Sequence, residues 1–286
     1  LTITRDNLLI TSIIFSKDRP AQLDLCLNSI KANFPESTEN IVIHNNSGKF
    51  KGAHNILRQE HPDVQLWPQG ASLFKDIFTA VYGSPNDYIC FFTDDDICFS
   101  KISLSHIIDP IFMNEFISCI SLRLGLNICK RSHEGHVSLD PLKNYQLVDD
   151  MIVWSKTAHM YWSYSLSVDG HIYRKPQLDQ MMDELCYLES KYNNWEQTPN
   201  KLESAMQRFW ALSENLMAAP KHSKVVNSPN NRVQNEVDNM SGEQYSVHQD
   251  GLLEQYLAGK RIALEQLSFD NIACPHTEID LMKGLQ

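Results

Sequence analysis

Leu8-Leu9-Ile10-Thr11-Ser12-Ile13-Ile14-Phe15-Ser16-Lys17-Asp18-Arg19-Pro20 is where the fold first becomes legible. Leu8 to Phe15 is a β-branched apolar run of strand length, the pattern of a strand buried in a sheet. Ser16 to Arg19 interrupts it with four polar residues. Pro20 suits the first turn of a helix, where an N–H is not needed. Leu23, Leu27, Ile30 and Phe34 then recur at three- and four-residue spacing and define one buried helical face. Strand, polar loop and helix in that order begin a βαβ unit.

The pattern repeats outward from this start. Ile41-Val42-Ile43-His44 reads as a second strand running into Asn45-Asn46-Ser47-Gly48, and a helix with Leu57 comes after it. Val64-Gln65-Leu66-Trp67 is a third strand, and Leu73, Ile77 and Val81 mark a third helix. Tyr88-Ile89-Cys90-Phe91-Phe92 is the fourth strand, ending abruptly in Thr93-Asp94-Asp95-Asp96. Such alternation predicts an α/β fold with a Rossmann-like, doubly wound sheet, whose ligands sit beyond the carboxyl ends of the strands. Three of the four strands end in polar clusters, so the site belongs there.

Asp94 and Asp96 are two residues apart and can turn toward one ion. Their mutual repulsion calls for a divalent cation or a proton. Oxygen-only ligation favours Mg²⁺ or Mn²⁺, which commonly bridge to substrate phosphates. The competing reading is a surface acidic turn that caps a helix.

Beyond residue 100 the pattern loosens. Ile117 to Leu124 reads as a strand, 130–150 as a long polar loop or hairpin, and Met151 to Tyr164 as an aromatic cluster that serves either the core or a flat sugar-binding face. Helices are expected at Met181 to Leu188, Leu202 to Leu216 and Leu252 to Leu257, a short strand at Val225-Val226-Asn227 and a loop from Pro229 to Gly242. From about Ser268 periodicity is lost, as in a tail or the edge of a missing neighbour.

Composition narrows the function. The chain has 286 residues, 42% of them hydrophobic and 21% charged, with a net charge of −10. That charge argues against nucleic acid or an anionic membrane as the main partner, because both need a basic footprint. Seven scattered cysteines without CxxC spacing fit reduced thiols in a cytoplasmic protein. No apolar stretch reaches the roughly 18 residues of a membrane span, and no signal-peptide pattern opens the sequence. The first residue is Leu rather than Met, as in a piece of a longer chain.

Ser16-Lys17-Asp18-Arg19-Pro20-Ala21-Gln22-Leu23, Asp94-Asp95-Asp96 and a looser second half together resemble the GT-A glycosyltransferases, family 2-like, which use nucleotide-sugar donors and a metal held by an Asp-x-Asp motif. Four further segments resemble one subgroup of such enzymes: Ser121 to Asn127, Ser167 to Arg174, Pro199 to Glu203, and Asn231-Arg232-Val233-Gln234. The resemblance implies a single domain over residues 8–265, with a nucleotide-sugar-binding half at 8–125, an acceptor-binding half at 126–265 and a tail at 266–286. It implies Asp94 and Asp96 as ligands of Mn²⁺ or Mg²⁺, with Asp95 turned toward the donor sugar. It also implies an NDP-sugar donor, UDP-sugar favoured, an oligosaccharide or other glycan acceptor, and fusion to or association with other glycan-synthesis domains.

Residue by residue, Ser16, Lys17, Asp18, Arg19 and Asn45 would hold the nucleotide: Arg19 can fork onto phosphate and Asn45 can read a base edge. Lys75, near a helix start, is a candidate for ribose or phosphate. Solvated surface cations are the alternative for Arg19 and Lys75. Arg123 and His171 lie in the resembling segments and are assigned to donor or acceptor contact. Asp169 and Glu203 are the catalytic carboxylates, Glu203 being either a general base of the kind an inverting transferase needs or a first-turn capping residue. His222 and His248 are weaker candidates to complete a metal shell. Asn231 and Arg232 fall in a loop that could close over the donor phosphates.

Two other readings stand beside this one. A sugar nucleotidyltransferase shares the α/β start and a metal, but usually opens with a Gly-rich phosphate loop, and Ser16 to Pro20 contains no glycine. A non-catalytic glycan-binding domain on the same fold would use the aromatics at 154–164.

Overall fold

The structure, a computed structural model, describes residues 9–105, 107, 114–130, 142–155, 160–163, 166–191, 198–212, 216–234 and 241–286. The first half alternates as expected: β1 (Ile10–Lys17), α1 (Pro20–Asn33), β2 (Ser37–Asn45), α2 (Lys51–Glu60), β3 (Val64–Pro68), α3 (Leu73–Gly83) and β4 (Tyr88–Thr93). β1 runs parallel to both β2 and β4, with Ile13 opposite Ile41 on one side and Phe91 on the other. Seven consecutive residues of β1 are buried, because both faces of the sheet are covered. Ile13, Ile14, Phe91 and Phe92 lie in this core, each worth about 1.5–3 kcal/mol of burial. The polar residues inside β1 are paired: Thr11 Oγ1 lies 2.6 Å from Ser84 Oγ, and Ser12 Oγ lies 2.6 Å from Ser37 Oγ.

The second half adds β5 (Asp96–Cys98), β6 (Ile117–Ser121), β7 (Tyr145–Val148), β8 (Met151–Ser155), β9 (His171–Arg174), α4 (Lys175–Lys191), α5 (Pro199–Leu212), β10 (Leu216–Pro220), β11 (Val225–Asn227) and α6 (Gln249–Leu257). Among the described residues nine strands form one sheet in the order β3-β2-β1-β4-β9-β6-β10-β8-β7, while β5 and β11 pair separately. The sheet is mixed: β9 lies antiparallel between β4 and β6. The fold class read from the sequence, α/β with a doubly wound mixed sheet and a less regular second half, is the one observed. After β3 the chain crosses β2 and β1 to enter at β4, so the winding reverses at the β1–β4 boundary, where such sheets open their ligand crevice.

β10 begins at Leu216, the last residue of the helix expected from Leu202 to Leu216. Leu-Met-Ala-Ala are good helix formers, yet pairing with β6 on one side and β8 on the other overrides that preference. Within the expected long loop, 131–141 lies outside the described residues, and the remainder forms a β7–β8 hairpin turned by Asp149 at φ 52° and Asp150. Of the aromatic cluster, Trp154 and Trp162 are core: both are buried, edge to face at 5.4 Å, and Trp154 Nε1 donates to the carbonyl of Trp162 at 3.0 Å. Tyr164 is outside the described residues. Cys26, Cys90, Cys98, Cys119 and Cys274 are buried free thiols. Among the described residues no helix is long and apolar enough to cross a membrane.

Candidate active site

At the carboxyl end of β1 the chain leaves the sheet through Asp18, a non-glycine residue at φ 54°. That left-handed backbone costs energy unless local polar contacts compensate. They do: the Asp18 carboxylate accepts the Ser47 N–H at 2.6 Å, and its own N–H donates to Asn46 Oδ1 at 3.3 Å. The loops after β1 and β2 are thereby joined, through Asn46 rather than the exposed Asn45. The turn delivers Arg19 into the crevice.

Arg19 is buried and shared. Nη1 lies 3.0 Å from Asp94 Oδ1 and 2.8 Å from Asp95 Oδ2, Nε donates to Asn231 Oδ1 at 2.7 Å, and Nη2 donates to the Asn231 carbonyl. The second oxygen of Asp94 accepts the Lys17 N–H at 2.9 Å. Asp96 folds back onto the Thr93 N–H at 2.9 Å. The register of β11 on β5 places Asn227 opposite Asp96, and its Nδ2 reaches Asp95 Oδ1 at 2.9 Å, Asp96 Oδ1 at 3.2 Å and Thr93 Oγ1 at 3.2 Å. All six carboxylate oxygens of the acidic turn therefore accept hydrogen bonds from the protein.

A second knot lies beside the first. Asp169 Oδ1 accepts from Thr93 Oγ1 at 3.2 Å and Oδ2 from Arg123 Nη1 at 2.6 Å. Asp169 sits in a turn completed by Gly170 at φ +62°, where an added Cβ would come within 3.0 Å of Val225 Cγ1. Glu203, at the start of α5, braces this turn: its Oε1 accepts from Ser167 Oγ and from the Val168 N–H at 3.1 Å. His171 braces it from β9, donating through Nδ1 to the Asp169 carbonyl at 2.8 Å. Its ring is wholly buried, and burial together with nearby Arg123 pulls its pKa down to about 3, so it is neutral.

Crowding of carboxylates in a dry crevice raises their pKa values. Burial pushes Asp94 up to about 6 against the pull of Arg19, with Asp95 adding to the rise. Burial also pushes Asp169 up to about 7, against Arg123 and with Glu203 adding. Asp96 is driven well above the usual range by burial and then by Asp169 and Asp95. The cluster holds protons that isolated aspartates would release.

The expected ligation of Mn²⁺ or Mg²⁺ by Asp94 and Asp96 does not fit this arrangement. Both side chains are nearly inaccessible, and their oxygens face Arg19, Asn227 and two backbone N–H groups rather than a common open point. Among the described residues no group of three His, Cys, Asp or Glu side chains is arranged to hold an ion. His222 is exposed on a loop, and His248 caps α6, accepting the Asp250 N–H at 3.2 Å.

No family model and no curated protein matches the chain. Solved structures similar to it include S. aureus TarS 1–349, at 15% identity and TM-score 0.47, covering 78% of this chain and 61% of that one. TarS 1–349 in complex with UDP-GlcNAc gives 12% identity and TM-score 0.44 over 75% of this chain and 57% of that one. The 4-diphosphocytidyl-2C-methyl-D-erythritol synthase from Anaerococcus prevotii gives 12% identity and TM-score 0.41 over 77% and 92%. The chain thus spans about three fifths of the length of TarS 1–349. At these values none of them decides the chemistry, which rests on the side chains.

Of the residues named from the sequence, Arg19, Asp94, Asp95, Asp96, Asn231, Arg123, Asp169, His171 and Glu203 come together in one hydrogen-bonded polar cluster beside the carboxyl ends of β1 and β4. Ser16 is buried in β1, Lys17 contributes its backbone, and Asp18 shapes the turn. Lys75 is exposed on α3, its N–H taken by the Ser72 cap at 3.3 Å. Arg232 is exposed at a cleft of about 500 Å³ that also borders Asn231, Ser246, Val247 and His248. Sequence reading missed Thr93, Asn227 and His276. Asn227 was legible as the end of a short strand, but nothing local to it signals its partner across 131 residues.

Proposed function

We propose that the protein is a glycosyltransferase that moves a sugar from an NDP-sugar, UDP-sugar favoured, to a hydroxyl of a glycan acceptor. The observation that carries this is Asp169: a carboxylate in the turn before β9, beside the carboxyl end of β4, held between Thr93 and Arg123, with its pKa raised to about 7. A base poised near the working pH combines a useful ionised fraction with proton affinity. Asp169 takes the acceptor hydroxyl proton as the oxygen bonds to the anomeric carbon. The nucleoside diphosphate departs with the electrons of the broken glycosidic bond.

The donor diphosphate lies along the cleft beside Asn231 and Arg232, with Arg19 behind Asn231 as the fixed cation. Arg232 balances the charge that develops on the leaving group. Glu203, whose Oε1 accepts from Ser167 and Val168, is assigned to holding the Asp169 turn. None of these steps needs Asp94 or Asp96 to release its present partners.

The test is a thermal-shift panel of UDP, GDP, CDP and their sugars, followed by assay of slow NDP-sugar hydrolysis. One nucleotide series should raise the melting temperature, because a ligand specific for the native state stabilises it by mass action. No shift and no hydrolysis with any of them would sink the reading. Release of pyrophosphate from a nucleoside triphosphate and a sugar phosphate would replace it with nucleotidyl transfer.

A further inference from the structure

The stretch after residue 268, which the sequence presents as a tail, is stitched along the crevice. Cys129 and Lys130 both donate their N–H groups to the Ala273 carbonyl at 2.9 Å, Asn227 N–H donates to the Pro275 carbonyl at 3.0 Å, and Thr277 N–H returns to the Asn227 carbonyl at 2.9 Å. Ile279 N–H donates to Ser228 Oγ at 2.8 Å. The Glu278 carboxylate accepts three successive N–H groups, from Glu243, Gln244 and Tyr245, at 2.7, 2.9 and 2.6 Å. Pinned on both sides, His276 is held between the two carboxylate knots.

Its Nε2 lies 3.1 Å from Arg123 Nη1 and its Nδ1 lies 3.2 Å from Asn227 Oδ1. A guanidinium can only donate, so Nε2 must be the acceptor and Nδ1 must carry the proton. That proton orients the Asn227 amide, with Oδ1 toward the imidazole and Nδ2 toward Asp95 and Asp96. On the other side, the same Arg123 Nη1 donates to Asp169 Oδ2 at 2.6 Å. One imidazole thus sets the geometry of both its neighbours.

We propose that His276 is a positioning residue which, as the Nδ1–H tautomer, couples Asp169 to the acidic turn through Arg123 and Asn227. The tautomer is fixed by the contacts alone. Its effect on sugar transfer rests on the transferase reading of the same site.

Two measurements on the full chain test it. Nitrogen-15 NMR of the His276 ring at neutral pH should show Nδ1 protonated and Nε2 bare, and the Asn227 side-chain amide resonances should move in His276→Leu. An Nε2–H tautomer overturns the proposal whether or not any activity is found. Given turnover, His276→Leu should lower kcat about 10²-fold, the scale of a small misplacement of reacting groups, with KM changing less and the pH profile displaced. His276→Gln, which keeps one acceptor and one donor, should recover part of the rate. A folded His276→Leu enzyme with wild-type kcat and pH profile overturns the proposal. If His276→Leu does not fold, the wild-type tautomer and the Gln variant decide. If the wild type turns over no NDP-sugar, the transferase reading fails and the tautomer still decides the relay.

Discussion

Arg19 meets Asp94 and Asp95 at 3.0 and 2.8 Å and is gripped from behind by Asn231, whereas Arg123 meets Asp169 at 2.6 Å and leaves its buried Nε without a hydrogen-bond partner. Both are buried arginine–aspartate contacts at one crevice, yet they are finished differently. Around Arg19 nearly every donor and acceptor is matched, and the group ties β1, β4 and the Asn231 loop into one unit. Around Arg123 the matching is incomplete and the aspartate titrates near neutrality. The first knot is closed by hydrogen bonds on every carboxylate oxygen, and the second leaves a buried guanidinium nitrogen unmatched.

The comparison breaks first at Arg19. Arg19→Ala strands Asp94 in a site that admits almost no water, so about 3–5 kcal/mol of stability should be lost, read from the denaturant midpoint. A midpoint within experimental error of wild type would mean that the knot does not hold the crevice. Asp169→Asn should act oppositely, reducing NDP-sugar turnover about 10²–10⁴-fold while leaving stability unchanged or higher. Full turnover in that variant would remove Asp169 as the base.

Gly170→Ala comes next. Its backbone must stay at φ +62° with a Cβ pressed on Val225, which should cost about 1–2 kcal/mol, measured by thermal unfolding. Because Asp169 is displaced with the turn, turnover should fall as well.

The pH dependence sharpens the contrast without a structural change. Asp169 binds its proton more tightly folded than unfolded, so between about pH 4 and 7 the native state carries more protons and stability falls as pH rises. Asp169→Asn removes that contribution. Wild type should therefore lose stability relative to the variant across that window, and parallel curves would contradict the raised pKa. Lys75→Ala is the smallest change: an exposed side chain on α3 should shift stability by no more than about 0.5 kcal/mol, with nucleotide affinity unaltered. A large loss of affinity would return Lys75 to the site the sequence assigned it.

β1 and β4 were readable because burial on both faces leaves uninterrupted β-branched and aromatic runs, as in Ile10 to Phe15 and Ile89 to Phe92, while β2 and the edge strand β3 were readable from Ile41-Val42-Ile43 and Val64-Gln65-Leu66-Trp67. β9 and β10 were not, because His171 to Arg174 and Leu216 to Pro220 lack a β-branched run and their strand state depends on neighbours far along the chain. The site divides similarly. Arg19, the three aspartates and Asp169 stand at strand ends or turn signals and could be named locally. Asn231 meets Arg19 across 212 residues, and His276 meets Arg123 across 153, so only folding joins them. Glu203 was legible as a carboxylate at a helix start, but whether it faces substrate or braces a turn depends on where Ser167 comes to rest.

The sequence by itself determined the α/β alternation, the polar strand ends and thus the edge of the sheet on which the polar side chains gather, since periodicity and residue type are local properties. Only the tertiary structure decided which oxygens of Asp94 to Asp96 are engaged, which carboxylates have their pKa values raised, and that a stretch without periodicity supplies His276. Hydrogen-bond geometry and desolvation are properties of the whole packed crevice, and no segment carries them alone.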